Sequence, residues 1–190
     1  MYNLVVFLSG NGSTLQSIID AINIGKLNAN IELVVSSNSN AYGLERAKMA
    51  NIDTYVIKNT TPEDIDKELL NVLADYNINL IVLAGYLRKI GSNLLNSYNI
   101  INTHPSLLPK FGGKGMYGMK VHTAVVNEKE KFSGATIHFV NDKYDDGNII
   151  RQTKIQILPT DTPEDVSRKV QEVEKVQLID VLNDFANGKI

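Results

Sequence analysis

An asparagine and a histidine stand two residues apart at Asn102 and His104, at the end of an apolar stretch. In a β-strand, side chains two apart lie on one face of the sheet, so these two can point at one place. An amide N–H and an imidazole directed at one point can stabilise a carbonyl oxygen that gains negative charge, and the imidazole can also transfer a proton. A strand-end asparagine beside a hydrogen-bonded loop histidine is the commoner explanation of such a pair taken alone, so both interpretations stay open.

An acidic segment, NDKYDDG at 141–147, follows further along the chain. A carboxylate from it beside His104 would favour the imidazolium form and raise the pKa of that ring. A solvated hairpin turn is the simpler explanation of the segment alone. The segment does not follow calcium-loop spacing, and the three histidines form no close pair, so no metal site is predicted. We assign the other two, His122 and His138, structural roles.

A glycine-containing loop, SGNGSTL at 9–15, follows the first apolar segment. Glycines let the backbone approach an oxyanion, and the first amides of a following helix offer donors to it. Leu15 occupies the place of the third glycine of a dinucleotide fingerprint, so the loop matches that fingerprint poorly. No Gly-Lys-Ser/Thr is present, so a P-loop is excluded. A phosphomonoester site and an ordinary turn capped by Ser13 both remain possible.

Two further segments can shape a pocket. AGYLRKI at 84–90 offers Arg88, which can bind a carboxylate or lie in solvent. FGGKGMYGMK at 111–120 is rich in glycine and apolar residues, which predicts either a mobile flap or a flexible connection.

Alternating strand-like and helix-like segments predict an α/β fold with a mostly parallel sheet covered by helices on both faces. The expected parallel strands are 2–8, 31–36, 54–57, 78–84 and 99–102. The expected helices are 13–24, 42–50, 62–76 and a last one that begins after Thr162 and runs to about 185. A threonine followed by a proline, at Thr61 and at Thr162, predicts the start of the last two. The short spacing between 134–140 and 149–157 predicts that these two strands are antiparallel.

The composition of the chain limits the classes of protein to which it can belong. A chain of 190 residues with 43% hydrophobic content suits one domain. A net charge of -2 without a basic block predicts neither a nucleic-acid nor a membrane partner, and both a monomer and a homodimer are compatible with it. The absence of cysteine suits a reducing cytoplasm.

Four segments identify a protein family more specifically in combination than any of them does alone. They are SGNGSTLQSII, VLAGYLRKI, NTHPSLLPKF and HFVNDKYDDGNII, in this order over nearly the whole chain. They resemble the phosphoribosylglycinamide formyltransferase family. The resemblance implies transfer of the formyl group of the cosubstrate 10-formyltetrahydrofolate to the amine of 5-phosphoribosylglycinamide in purine biosynthesis, with no metal and no covalent enzyme intermediate. It also implies one Rossmann-like domain over 1–190, with a phosphate-binding half at 1–100 and a catalytic and folate-binding half at 101–190.

The resemblance also implies roles for individual residues. The catalytic trio falls on Asn102, His104 and Asp145, with His104 as an imidazolium that Asp145 keeps charged. The implied substrate-binding residues are Gly12, Ser13, Thr14, Gln171 and Glu174. The implied folate-binding residues are Leu87, Arg88, Lys89, Ile90, Asn141, Asp142 and Tyr144.

The chain departs from the family pattern in places. Asp146 stands where a threonine or glycine is more common, and its charge can raise the pKa of Asp145. Pro62 stands where some members have an arginine for the folate tail. The loop 112–120 does not align with most members, so its contacts are not carried over.

Two other kinds of protein share features of this sequence. A methionyl-tRNA formyltransferase shares the Asn-x-His-Pro-Ser motif but needs a basic C-terminal domain for tRNA, and this chain ends at Ile190 with an acidic balance. A phosphosugar-binding module can use the same fold. Binding alone, however, does not need an oxyanion donor with an acid partner, so the trio favours an enzyme.

Overall fold

The computed structural model describes residues 1–190 and shows an α/β fold. Its strands are β1 (Tyr2–Leu8), β2 (Ala29–Ser36), β3 (Thr54–Val56), β4 (Leu80–Leu83), β5 (Ile100–His104), β6 (Phe132–Phe139) and β7 (Ile149–Gln156). Its helices are α1 (Ser13–Asn23), α2 (Tyr42–Met49), α3 (Pro62–Leu73), α4 (Ser92–Ser97), α5 (Met119–Asn127) and α6 (Pro163–Ala186). The seven strands form one sheet in the order β3-β2-β1-β4-β5-β6-β7.

The predicted mixture of parallel and antiparallel pairing is confirmed. β1 pairs in parallel with β2 and β4, and β2 pairs in parallel with β3. β6 and β7 are antiparallel. Residues 4–8 of β1 and 80–82 of β4 are fully buried, as expected for strands covered by helices on both faces.

Threonine caps begin α3 and α6, as predicted. Thr61 Oγ1 accepts from the Asp64 amide at 3.3 Å, and Pro62 occupies the first turn of α3. Thr162 Oγ1 accepts from the Asp165 amide at 3.2 Å, and the Asp165 carboxylate accepts from the Thr162 amide at 3.1 Å. Each cap satisfies donors that a helix start would otherwise leave without a partner.

Among the elements that differ from the sequence-based expectation are α4 and β5. The short helix α4 was not predicted; the buried carboxylate of Asp66 caps it by accepting from the amides of Asn93 (3.0 Å) and Leu94 (3.2 Å). β5 was expected to end at 102 but continues to His104, so the histidine belongs to the strand itself.

The chain divides into two compact units. Unit 1 contains residues 1–101 and 182–190, and unit 2 contains residues 102–181. The prediction of a phosphate-binding half and a catalytic, folate-binding half concerns ligands and stays a prediction. No helix is both long enough and apolar enough to cross a membrane.

Candidate active site

Three polar side chains of unit 2 meet at the end of β5. Asn102 Nδ2 lies 3.4 Å from Asp145 Oδ1, and His104 Nδ1 lies 3.5 Å from Asp145 Oδ2. His104 is 4% exposed, and the Asp145 side chain is 12% exposed. The period-two geometry of the strand therefore directs Asn102 and His104 to one carboxylate, as their spacing predicted.

The two ring nitrogens of His104 have different partners. Nε2 lies 2.8 Å from the carbonyl oxygen of Phe111, and because a carbonyl only accepts, Nε2 carries the proton of this bond. In the neutral ring, Nδ1 then has a lone pair and faces Asp145. The arrangement suits a ring that takes up a proton at Nδ1 and is then stabilised by the adjacent carboxylate.

The expectation that Asp145 keeps His104 charged is wrong for the free protein. Burial lowers the pKa of His104, and this effect exceeds the opposite effects of the Asp145 carboxylate and the Phe111 carbonyl. The lowered pKa of His104 favours the neutral imidazole in the free protein.

Asp145 stays ionised beside this neutral ring. Burial raises the pKa of Asp145. Interactions with His138, with His104 and with the Gly113 amide lower it, and their combined effect is the larger one, so the pKa lies below the usual value for an aspartate. The rise expected from Asp146 is therefore not found; the Asp146 side chain is 55% exposed and lies 3.8 Å from Lys143 Nζ.

The loop before α5 holds Asp145 in place. The Gly113 amide donates to Asp145 Oδ2 at 2.8 Å. A Cβ atom on Gly112 would lie 2.5 Å from a Leu108 methyl and 3.2 Å from the Asp145 Cβ, so a larger residue there would require Leu108 to move and would press on Asp145. Asp145 and Phe111 both have left-handed backbones, with φ of 53° and 56°. Non-glycine residues in this region carry strain, which proteins concentrate at functional sites.

His138, which the sequence analysis assigned a structural role, belongs to this cluster. Its Nδ1 lies 2.8 Å from the Phe139 carbonyl and must donate to it, so Nε2 is an acceptor in the neutral ring. Asn102 Nδ2 donates to that Nε2 at 3.1 Å, and Asp145 Oδ1 lies 3.7 Å from it. His138 therefore fixes which way the Asn102 amide faces and holds one of its two N–H groups.

A buried hydroxyl supports the turn after β5. Thr136 Oγ1 donates to the Ser106 carbonyl at 2.6 Å and accepts from the Leu108 amide at 3.1 Å. Gln152 Nε2 donates to the same hydroxyl and to the Leu108 carbonyl, both at 2.9 Å. The Leu108–Pro109 peptide bond is cis. The turn that follows His104 is thus hydrogen-bonded to both β6 and β7.

The predicted phosphate loop lies in unit 1, between β1 and α1. Gly12, not Ser13, is the N-terminal cap of α1, and it has φ of 75° and no side-chain cap, so the alternative of a turn capped by Ser13 is wrong. A Cβ atom on Gly12 would lie 2.6 Å from the Cα of Gly43. Both the left-handed backbone and this close approach require glycine at position 12.

The other predicted substrate residues lie on α6 in unit 2. Gln171 is exposed, and its Nε2 donates to Ser167 Oγ at 3.2 Å. Glu174 is half-buried and lies three residues further on, so both side chains occupy one side of the helix.

The predicted folate segments fall in different units. Residues 87–90 belong to unit 1, where the exposed Leu87 donates its amide to Ser9 Oγ at 3.0 Å and Ile90 is buried. Arg88 donates to the Asn59 carbonyl at 2.9 Å. Lys89 is exposed.

Residues 141–145 belong to unit 2. Asn141 Oδ1 accepts from the Lys143 amide at 3.0 Å, while Asp142 and Tyr144 are exposed. The turn thus leaves these two side chains accessible next to the buried end of Asp145.

His122, the third histidine, is 3% exposed in α5, and its Nδ1 has no hydrogen-bond partner. Burial and, to a lesser degree, repulsion from the His104 ring when that ring is protonated lower the pKa of His122 to about 4. No group of three or more histidine, cysteine, aspartate or glutamate side chains is placed to hold a metal ion.

Comparison with known proteins gives the family. The model of the formyl transferase family matches residues 2–182. The chloroplastic phosphoribosylglycinamide formyltransferase of Arabidopsis thaliana is 37% identical over 98% of this chain, which spans 66% of that relative, just under two thirds. The phosphoribosylglycinamide formyltransferase of Escherichia coli (strain K12) is 34% identical over 99% of this chain and 89% of its own length.

A solved structure agrees with these sequence matches. The phosphoribosylglycinamide formyltransferase from Coxiella burnetii superposes with a TM-score of 0.91 at 38% identity, over 98% of this chain and 88% of that one. From the match over most of its length and from these relatives, we conclude that the chain belongs to the formyl transferase family.

Proposed function

We propose that this protein transfers the formyl group of 10-formyltetrahydrofolate to the amine of 5-phosphoribosylglycinamide, giving formylglycinamide ribonucleotide and tetrahydrofolate in de novo purine biosynthesis. The observation that carries the proposal is the convergence of Asn102 and His104 on the half-buried carboxylate of Asp145. Family membership supports the reaction class, and the names of the relatives support the choice of acceptor.

In the proposed reaction the substrate amine attacks the formyl carbon, and the formyl oxygen gains negative charge. Asn102 Nδ2 has one N–H directed to His138 at 3.1 Å and a second one 3.4 Å from Asp145. The second, longer contact is the weaker one, so this N–H is the group that donates to the oxyanion.

His104 moves the proton. The attacking amine nitrogen becomes positively charged as the C–N bond forms, and the neutral Nδ1 of His104 accepts the proton that this nitrogen loses. Asp145 then stabilises the imidazolium. The same proton passes to the folate nitrogen as the bond between that nitrogen and the formyl carbon breaks, which returns His104 to its neutral form.

The remaining roles in the proposal are for binding. Gly12, Ser13 and Thr14 bind the substrate phosphate at the start of α1, and Gln171 and Glu174 bind its ribose and glycinamide parts. The folate pterin is bound at 87–90 and at 141–145, largely through backbone groups. The proposed location of the reaction is the cytoplasm. The proposed organisation is a single domain, in which residues 1–100 bind the phosphate and residues 101–190 carry out catalysis and bind the folate.

A formyl-transfer assay tests the proposal. The protein is incubated with 10-formyl-5,8-dideazafolate and 5-phosphoribosylglycinamide, and the deformylated product is followed by absorbance. Product formation that requires both substrates is expected. The variant His104→Ala, purified in the same way, serves as the control for contaminating activity. Absence of transfer by a folded sample, or equal transfer by that variant, would contradict the proposal.

A further inference from the structure

The side chain of Arg46, in α2, holds the loop between β1 and α1. Its Nε donates to the Asn11 carbonyl at 2.9 Å, its Nη2 donates to Asn11 Oδ1 at 2.9 Å, and its Nη1 donates to Gln16 Oε1 at 3.1 Å. Its guanidinium carbon also lies 4.9 Å from the centre of the Tyr42 ring. These four contacts hold the guanidinium in a single position against the loop.

α2 also determines which way the peptide groups of this loop face. The Gly43 amide donates to the Gly10 carbonyl at 3.1 Å, so the carbonyls of both Gly10 and Asn11 point towards α2. In a trans peptide unit, the N–H points opposite to the C=O. The amides of Asn11 and Gly12 therefore point away from α2.

The close packing of the two segments makes this arrangement possible. A Cβ atom on Gly43 would lie 2.5 Å from a Leu8 methyl and 3.3 Å from the Cα of Gly12. Without side chains at 12 and 43, α2 approaches the loop closely enough for its backbone and Arg46 to bind successive carbonyls.

The charge of Arg46 is directed at neutral groups. A backbone carbonyl and two side-chain amide oxygens accept its three hydrogen bonds, so these bonds leave its full positive charge next to the loop. An arginine stays protonated at any physiological pH. A phosphate dianion bound by the loop amides would lie well within the screening length of this charge.

We propose that Arg46 is a positioning residue for the phosphate of the substrate. By binding the Asn11 carbonyl it turns the Asn11 and Gly12 amides towards the phosphate, and it places a fixed positive charge behind the loop. This inference rests on the proposed function in one respect, since that function supplies the phosphorylated substrate.

The test compares substrates with and without the phosphate in the variant Arg46→Met, which keeps the length of the side chain but removes its charge and its donors. For 5-phosphoribosylglycinamide, we expect KM to rise about tenfold to a hundredfold, the range for lost hydrogen bonds to charged groups, with kcat and the KM for the folate little changed. For the unphosphorylated glycinamide riboside, kcat/KM should stay at the wild-type value. Lys48→Gln is the matched control, because Lys48 is exposed on the same helix and pairs only locally, with Glu45.

A merely structural role for Arg46 would lower kcat/KM for both substrates equally, and that result would overturn the proposal, as would an unchanged KM for the phosphorylated substrate. Circular dichroism shows whether Arg46→Met is folded. If it is not, Arg46→Lys, which keeps the charge but not the planar fork, takes its place in the same comparison. A smaller loss confined to the phosphorylated substrate is then expected.

Calorimetric binding of ribose 5-phosphate separates this inference from the proposed function, because it needs no formyl transfer. Tighter binding to the wild type than to the Arg46 variant supports the inference even if the wild type transfers no formyl group. Equal binding to both proteins overturns it, whatever the activity.

Discussion

His104 Nδ1 faces Asp145 Oδ2 across 3.5 Å, in a site where burial keeps the imidazole neutral and the carboxylate stays ionised. Burial lowers the pKa of His104, and the Asp145 carboxylate partly offsets this by raising it. Removing the carboxylate should therefore lower the pKa of His104 further. For Asp145→Asn we expect kcat to fall by a factor of about 100 or more, the usual share of a proton-transfer group. The acid limb of the profile of kcat against pH should move to lower pH, since His104 must be neutral to accept the proton. A shift to higher pH would contradict this.

Loss of either strand residue should affect turnover more than binding. Asn102→Ala removes the oxyanion donor and His104→Ala removes the proton carrier, so each should lower kcat by a factor of about 100 to 1000. The phosphorylated substrate should bind both variants as it binds the wild type, as measured by calorimetry. A folded His104→Ala variant with near wild-type turnover would rule out the role proposed for the histidine.

His138 should influence turnover through Asn102. His138→Leu removes the acceptor that lies 3.1 Å from Asn102 Nδ2, so the amide loses its fixed orientation. We expect kcat to fall by about tenfold, the effect of one hydrogen bond, with both KM values unchanged. His138→Gln, which offers another acceptor, should recover part of the loss. Equal kcat for His138→Leu and the wild type would show that the contact does not position the amide.

His122 should make the folded protein sensitive to mild acid. Its pKa is about 4 in the folded state and about 6.5 in the unfolded chain, so between these values the unfolded chain binds more protons and stability falls as pH decreases. From pH 7.5 to pH 5, this single group should lower the free energy of unfolding by about 2 kcal/mol.

Urea unfolding of His122→Leu at the two pH values tests this. The variant cannot take up the proton and should lose less stability than the wild type on going to pH 5. Thr123→Leu, an exposed change at the next position of α5, should keep the wild-type pH dependence. The prediction fails if all three proteins show the same difference between the two pH values.

Local patterns in the sequence predicted most of the sheet and the first half of the site. The apolar segments and the Thr-Pro helix starts are set by neighbours in sequence, and β1 and the cap at Thr61 lie where they were expected. Asn102 and His104 lie two apart in a strand, so their common direction was also predictable.

Contacts between residues distant in sequence account for what was missed. His138 bonds to Asn102 across 36 positions, and Arg46 bonds to Asn11 across 35. The only sequence feature that pointed to His138 is its place in an alternating strand, two residues after Thr136 and therefore on the same face. The raising effect of Asp145 on the pKa of His104 was predicted, but the larger lowering effect of burial was missed, because the extent of burial follows from packing, which the sequence does not display.

The contact between Gly12 and Gly43 restricts how this chain can evolve. A side chain on Gly12 would meet the backbone of Gly43, and one on Gly43 would meet Leu8 and approach Gly12. The left-handed backbone at Gly12 adds a second barrier. Shortening Leu8 therefore cannot make position 12 tolerant of a side chain, because the obstacles there are the Gly43 backbone and the φ angle of Gly12 itself. In a mutational library both positions should be depleted of substitutions independently of the rest of the loop, while exposed residues of α2 that do not contact the loop, such as Lys48, should vary.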